Sequence, residues 1–417
     1  MSTLEISFPY AHSHRSLKVP ADQLAGVIRP RTPRVLQDEE ALLAAAMSYP
    51  IGTDRLARLA HGAESAAIVI SDLTRPCPSM QLLPPVLQEL RAAEVAEDRI
   101  LILLALGLHR PMTEDEIIAA VGEDVYSTYP VVNHDPGDTL QLGTTKRGTP
   151  VEISRPLVQA DVRICLGNVE FHYFAGYSGG AKAVLPGCAS AAAIAANHAW
   201  MVRREACGGR LDGNPVRDDL EEAVDMLGVD FILNVVVDAE HCITGAAAGD
   251  VTRAHRMLCD QVAARGLIPL DTPADIVVAS AGGFPKDINL YQAHKALENA
   301  SLFLRDGGIL ILAAACSEGV GQDVFADWMM QGWTPEDLAG RIQRGFVLGG
   351  HKASAIGSIL TRKTIFLVSA FPDAVVRQMG MEPFPNLGEA FKAATVRLPG
   401  ARVLALPDVT SVLPAFG

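Results

Sequence analysis

Three histidines stand in contexts that suit chemistry: His109 in GLHR (107–110), His172 in FHYFAGYSGGAKAVLPG (171–187) and His198 in NH (197–198). An imidazole beside a turn can move a proton or bind a metal, although a hydrogen-bonded structural histidine looks the same in sequence. Lys182 ends the run GYSGGAK, ten residues after His172. An amine there can contact a phosphate or form a covalent link to a ligand, and a solvated lysine on a turn reads alike. The glycines predict a backbone that approaches a ligand closely, because no Cβ stands in the way. Asp72, Thr74 and Arg75 in SDLTRP (71–76) offer an acceptor, a hydroxyl and a cation. That set suits ribose and phosphate oxygens, or a plain structural Asp–Arg pair. Gln292 and Lys295 are three residues apart in YQAHK (291–295), hence on one helix face. Arg75 and Lys295 together would make a fork for a carboxylate. His12, His14, His61, His134, His241, His255 and His294 read as structural. No GK[ST] follows the glycines, and no GxGxxG follows a strand, so neither a P-loop nor an ordinary dinucleotide fold is expected.

Such residues need a scaffold that delivers them to one edge. Short apolar runs at 65–72, 99–106, 161–167 and 231–238, and again at 274–281, 307–315, 363–370 and 402–408, read as buried parallel strands. Helical patterns lie between them at 83–94, 218–228, 289–304 and 335–345. Strand and helix alternating in this way predict an α/β fold with two domains, each a mainly parallel sheet with flanking helices. Ligands bind beyond the carboxyl ends of such strands. The runs at 65–72, 99–106, 161–167 and 274–281 are each followed by candidate residues, which predicts an active site in the interdomain cleft. The stretch AARGLIPLDTPAD (263–275) marks the boundary, giving an N-terminal domain over 1–268 and a C-terminal domain over 269–417.

A chain of 417 residues exceeds one comfortable core, in keeping with two domains. Its net charge of −13 argues against a nucleic-acid or anionic-membrane partner. The longest apolar stretch, RILILLALGLH, is too short to span a bilayer, and MSTLEISFPYAHSH lacks the blocks of a signal peptide. Seven scattered cysteines without a CxxC pair predict reduced thiols and a cytoplasmic location.

The segments SDLTRP, GLHR, FHYFAGYSGGAKAVLPG, NH and YQAHK together resemble the nickel-pincer-nucleotide-dependent lactate racemase family, with its 2-hydroxy-acid racemase and epimerase relatives. The resemblance spans essentially the whole chain. It implies a pyridinium mononucleotide whose sulfur-containing arms bind nickel, attached at Lys182, with His198 as the nickel ligand. It further implies His109 and His172 as catalytic acid and base, and Asp72, Leu73, Thr74, Arg75, Pro186 and Gly187 as cofactor-binding residues. Arg75, Tyr291, Gln292 and Lys295 are the implied substrate ligands, and proteins of cofactor synthesis the implied partners. The implied reaction takes the hydroxyl proton of a 2-hydroxy acid to one histidine while the Cα hydride moves to the cofactor ring, then reverses on the other face.

In one place the chain departs from that pattern. Where lactate racemases carry a tryptophan lining the substrate pocket, GGHKA (349–353) places His351 and Lys352. A polar, cationic pair suggests a more oxygenated substrate, such as malate or a sugar acid. Two other classes remain open on the residues alone: a hydrolase with zinc held by His109, His172 and His198, and a non-catalytic carrier of the nickel nucleotide.

Overall fold

The structure is a computed structural model that describes residues 2–31, 38–238, 241–342, 347 and 349–416. The chain divides into two compact units, Pro33–Ala263 and a second one formed by Met1–Thr32 with Ala264–Gly417. It opens on an antiparallel hairpin of β1 (Thr3–Tyr10) and β2 (Ser13–Pro20), followed by the short strand β3 (Leu24–Val27).

The Pro33–Ala263 unit holds β4 (Ala66–Ser71), β5 (Ile100–Ala105) and β6 (Val131–Asn133), then a hairpin of β7 (Thr139–Thr144) and β8 (Pro150–Ser154). β9 (Val162–Asn168), the two-residue strands β10 (Phe171–His172) and β11 (Gly176–Tyr177), β12 (Phe231–Val237) and β13 (Ile243–Gly249) complete it. Its main sheet runs β13-β12-β9-β4-β5-β6, parallel except for β13. Ile68, Ile70, Ile102, Leu104, Ile164 and Leu233 are all buried in one core. Strands buried on both faces show as unbroken apolar runs, which is why these four were legible.

The other unit holds β14 (Leu267–Leu270), β15 (Ala274–Ser280), β16 (Leu304–Ala313), β17 (Thr364–Val368), β18 (Glu382–Pro383), β19 (Val403–Leu406) and β20 (Leu413–Phe416). Its sheet runs β18-β17-β16-β15-β19-β3, parallel throughout. The β1–β2 hairpin covers one face, packing Ile6, Phe8 and Val19 against Val278, Ile311 and Phe366.

The expected division at residue 268 therefore needs correcting. The observed break falls at residue 263, and the first 32 residues go with the C-terminal part. The reason is pairing: Leu24 lies opposite Val403 at the sheet edge, and the Arg31 N–H donates to the Arg265 carbonyl at 2.9 Å. Among the helices, the pattern at 83–94 becomes Ser79–Ala92, with Pro84 and Pro85 inside the helix rather than at its start. The pattern at 335–345 is helical over Pro335–Arg341, and residues 343–345 lie outside the described residues. Among the described residues no helix is long and apolar enough to cross a membrane.

Candidate active site

In the Pro33–Ala263 unit the candidate residues sit where parallel strands end, at the carboxyl edge. The β4 strand delivers Asp72 and the β5 strand delivers His109. Their side chains meet, with Asp72 Oδ2 and His109 Nδ1 2.5 Å apart. The second carboxylate oxygen accepts the Thr74 N–H at 2.9 Å and the Thr74 hydroxyl at 2.6 Å. Asp72 is nearly buried, whereas the His109 ring keeps 28% of its surface open. Burial alone would push the Asp72 carboxyl up. His109, Arg75 and the Thr74 hydroxyl outweigh that and hold it well below the usual carboxylate range. The carboxylate thus faces a histidine.

After β9, the chain makes the small β10–β11 hairpin, and His172 sits on it, buried. His172 Nδ1 accepts the Ala175 N–H at 3.3 Å. Phe174 is the hub of this region, a residue the sequence reading passed over. Its ring lies edge-on to the imidazoles of His172 at 4.5 Å and His198 at 4.9 Å, and the Lys182 ammonium stands 5.5 Å from its centre. One phenylalanine within the aromatic run FHYF (171–174) reads as ordinary core, so nothing in the sequence marked it.

His198 is the last residue of a helix, Ala191–His198, started by the Ser190 side chain accepting the Ala193 N–H. Asn197, fully buried beside it, donates to Asp219 at 2.9 Å. Asp219 also accepts from the Thr145 and Thr149 hydroxyls. That network ties the end of the helix to two other elements and so fixes where His198 stands.

The glycines do something other than expected. At Gly180, with φ +56, an added Cβ would stand 2.8 Å from the His255 ring. At Gly176, with φ +77, it would run into the Arg210 carbonyl. Both spaces are filled by the protein itself, so the glycines let the loop fit its own neighbours. Gly187 likewise leaves room for the Ala183 carbonyl and the Ala105 methyl, and its own carbonyl accepts the Gly107 N–H at 2.8 Å, next to Pro186.

The second cluster lies in the other unit, on the helices Leu290–Leu302 and Gly350–Leu360. Lys295 Nζ donates to Gln292 Oε1 at 3.0 Å, so the expected shared face is real. Lys352 Nζ donates to the Tyr291 carbonyl at 2.9 Å and stands 3.4 Å over the Tyr291 ring. His351 is buried, its Nδ1 accepting the Gly349 N–H at 3.1 Å.

Comparison with known proteins sets these residues in a lineage. The family model described as the lactate racemase N-terminal domain matches residues 10–208, and that of the lactate racemase C-terminal domain matches 270–413. The lactate racemase of Thermoanaerobacterium thermosaccharolyticum is 35% identical over 99% of both chains. The chain belongs to the lactate racemase family. It is an isomerase of the racemase class. A second lactate racemase, from Lactiplantibacillus plantarum, is 32% identical over 98% of this chain and 99% of its own. The structure of the T. thermosaccharolyticum lactate racemase apoprotein superposes with a TM-score of 0.92 at 34% identity, covering 99% of this chain and all of that one. A Thermotoga maritima protein shares the fold, with a TM-score of 0.72 at 17% identity over 94% of this chain. Family membership makes the two clusters above the first places to look for the racemase chemistry.

Proposed function

We propose that the protein racemises a 2-hydroxy acid with the help of a nickel-pincer nucleotide. One observation carries the reading: His172, His198 and Lys182, an acid–base group, a metal ligand and an amine, surround the single ring of Phe174. The donor set fits the group. Lys182 offers the amine for a covalent link, and His198 offers imidazole, a ligand that suits Ni(II). When bound, the nucleotide supplies a ring carbon that accepts and returns a hydride.

The chain's own residues handle the proton. Asp72 faces His109 Nδ1, so that nitrogen carries the ring proton and Nε2 keeps its lone pair, ready to act as a base. His172 is held the other way. Its Nδ1 accepts from Ala175, which leaves the ring proton of the neutral form on Nε2, ready to act as an acid. A racemase needs both roles, because one hand of the substrate must lose its hydroxyl proton and the other must regain it. Arg75, Gln292 and Lys295, with Tyr291, take the substrate-binding role.

The zinc alternative lacks a foundation, since among the described residues no three His, Cys, Asp or Glu side chains group to hold a metal. In the nickel-nucleotide reading His198 would be the protein's ligand to the metal. The Asp72–His109 pair argues against a mere carrier, which has no use for an oriented base. Lactate is the first substrate to test, as the substrate named for the two relatives. A second reading, a more oxygenated acid such as malate, is favoured by the buried Lys352 ammonium over Tyr291. None of the seven cysteines is in a disulfide, which suits a cytoplasmic enzyme.

The test is protein made together with the cofactor-synthesis proteins, followed by intact mass, metal analysis and interconversion of the D and L acids. We expect added mass at Lys182 and one nickel per chain, lost in His198→Ala. His109→Ala and His172→Ala should keep nickel and turn over about 10²–10⁴-fold more slowly. Wild-type protein without nickel or nucleotide would overturn the reading.

A further inference from the structure

Four side chains with no part in the proposed chemistry hold the backbone of the His172–Lys182 loop. Asn214 Nδ2 donates to the Phe174 carbonyl at 2.9 Å. Arg217 donates through Nε to Ala175 at 3.1 Å and through Nη2 to Tyr177. His255 Nε2 donates to the Ser178 carbonyl at 2.8 Å, and Asn234 Oδ1 accepts the Gly180 N–H at 2.7 Å. All four are at most 1% exposed.

Arg217 is the unusual member. Among the described residues it is the largest fully buried side chain, and burial pushes its guanidinium down to about 10. Glu221, 3.6 Å away and itself paired with Arg256 at 2.8 and 2.9 Å, offsets part of that cost. A buried cation is an expensive way to satisfy two carbonyls. What it offers is a planar fork, rigid enough to fix two carbonyls two residues apart in one geometry.

We propose that Arg217 is a positioning residue: its fork sets the Ala175–Tyr177 segment and thereby the placement of His172 relative to Lys182. The inference rests on the roles proposed above for those two residues. It is tested in Arg217→Met, which keeps the bulk without the donors, and Arg217→Lys, which restores one donor and the charge. Hydrogen exchange is read on the apoprotein, and nickel and nucleotide content on protein made with the cofactor-synthesis proteins.

In Arg217→Met, amides of 172–187 should exchange about tenfold or more faster while 66–71 and 231–237 stay protected. Nucleotide content should fall at least as far, and Arg217→Lys should recover part of both. Loop exchange and loading within about twofold of wild type in Arg217→Met would overturn the proposal. If Arg217→Met is recovered only unfolded, Arg217→Lys decides alone. Faster loop exchange with protected strands supports the role, and an unchanged loop ends it. A wild type that takes up no nucleotide sinks the functional reading, whereas the exchange result still judges the fork.

Discussion

The Asp72–His109 pair is where a single atom changes the most. Asp72→Asn keeps the size and an acceptor for Thr74, yet its amide no longer holds the Nδ1 proton of His109, so the wrong tautomer becomes accessible. Turnover should fall about 10²–10⁴-fold. The two enantiomers of a racemised acid have equal free energy, so kcat/KM must fall alike in both directions. A loss confined to one direction would show that the assay follows another reaction. The same substitution has a signature in acid. An unfolded Asp titrates near about pH 3.9, and the folded Asp72 carboxyl lies lower. Its stabilisation is therefore complete above the unfolded value and disappears as pH falls through the folded one. Urea unfolding from pH 7 downward should find the gap between wild type and Asp72→Asn narrowing, and a widening gap would contradict the pairing. The sequence offered Asp72, His109, His172 and Lys182 because each sits at a strand end or beside glycines, and His198, on a helix of small residues, through the family resemblance alone. It did not offer Phe174, Asn214, Arg217 or Asn234, because one ring in an aromatic run and polar groups on buried faces carry no local pattern. His255 was visible and read as structural; its bond to Ser178 makes it part of the loop's support.

At the scale of elements, the eight apolar runs all became strands, since a strand buried on both faces leaves the same mark wherever it lies. The glycine loop was legible as a loop and misread in its purpose: its missing Cβ atoms face protein at Gly176 and Gly180. Gly176→Ala tests this. The residue must keep a left-handed φ of +77 and clear the Arg210 carbonyl, so the backbone has to move. Stability should drop by about 2–6 kcal/mol, the sum of backbone strain and overpacking. Urea midpoints of the apoprotein measure it, and a near-neutral result would show that the loop has slack. The helix Pro215–Leu227 does two jobs through its first turn. Asn214 caps it, accepting the Val216 and Arg217 N–H groups, and also donates to Phe174. Asn214→Ala should cost about 1–2 kcal/mol for the cap, with loop exchange rising as well. Capping alone would leave the loop untouched.

For the whole molecule, the lesson is about allegiance. Composition and alternation announced two α/β units, yet not that the first 32 residues close the sheet of the last 154. Hairpin pairing is local, whereas the sheet a hairpin covers lies hundreds of residues away and leaves no trace nearby. The middle unit, Pro33–Ala263, is contiguous, and the other is split around it. A ribosome emits β1–β3 first, but their partners Val278, Ile311, Phe366 and Val403 come last. At roughly 5–20 residues per second, the 140 residues from 263 to 403 take about 7–28 s to make. Nascent chains arrested near residue 300 should carry a protease-resistant middle unit and a cleavable N-terminal segment, and a protected N-terminus at that length would refute the order. The apolar side of that first hairpin, with Phe8 and Val19, must therefore spend most of translation without a partner, which makes this short segment the natural client of whatever chaperone waits at the exit tunnel.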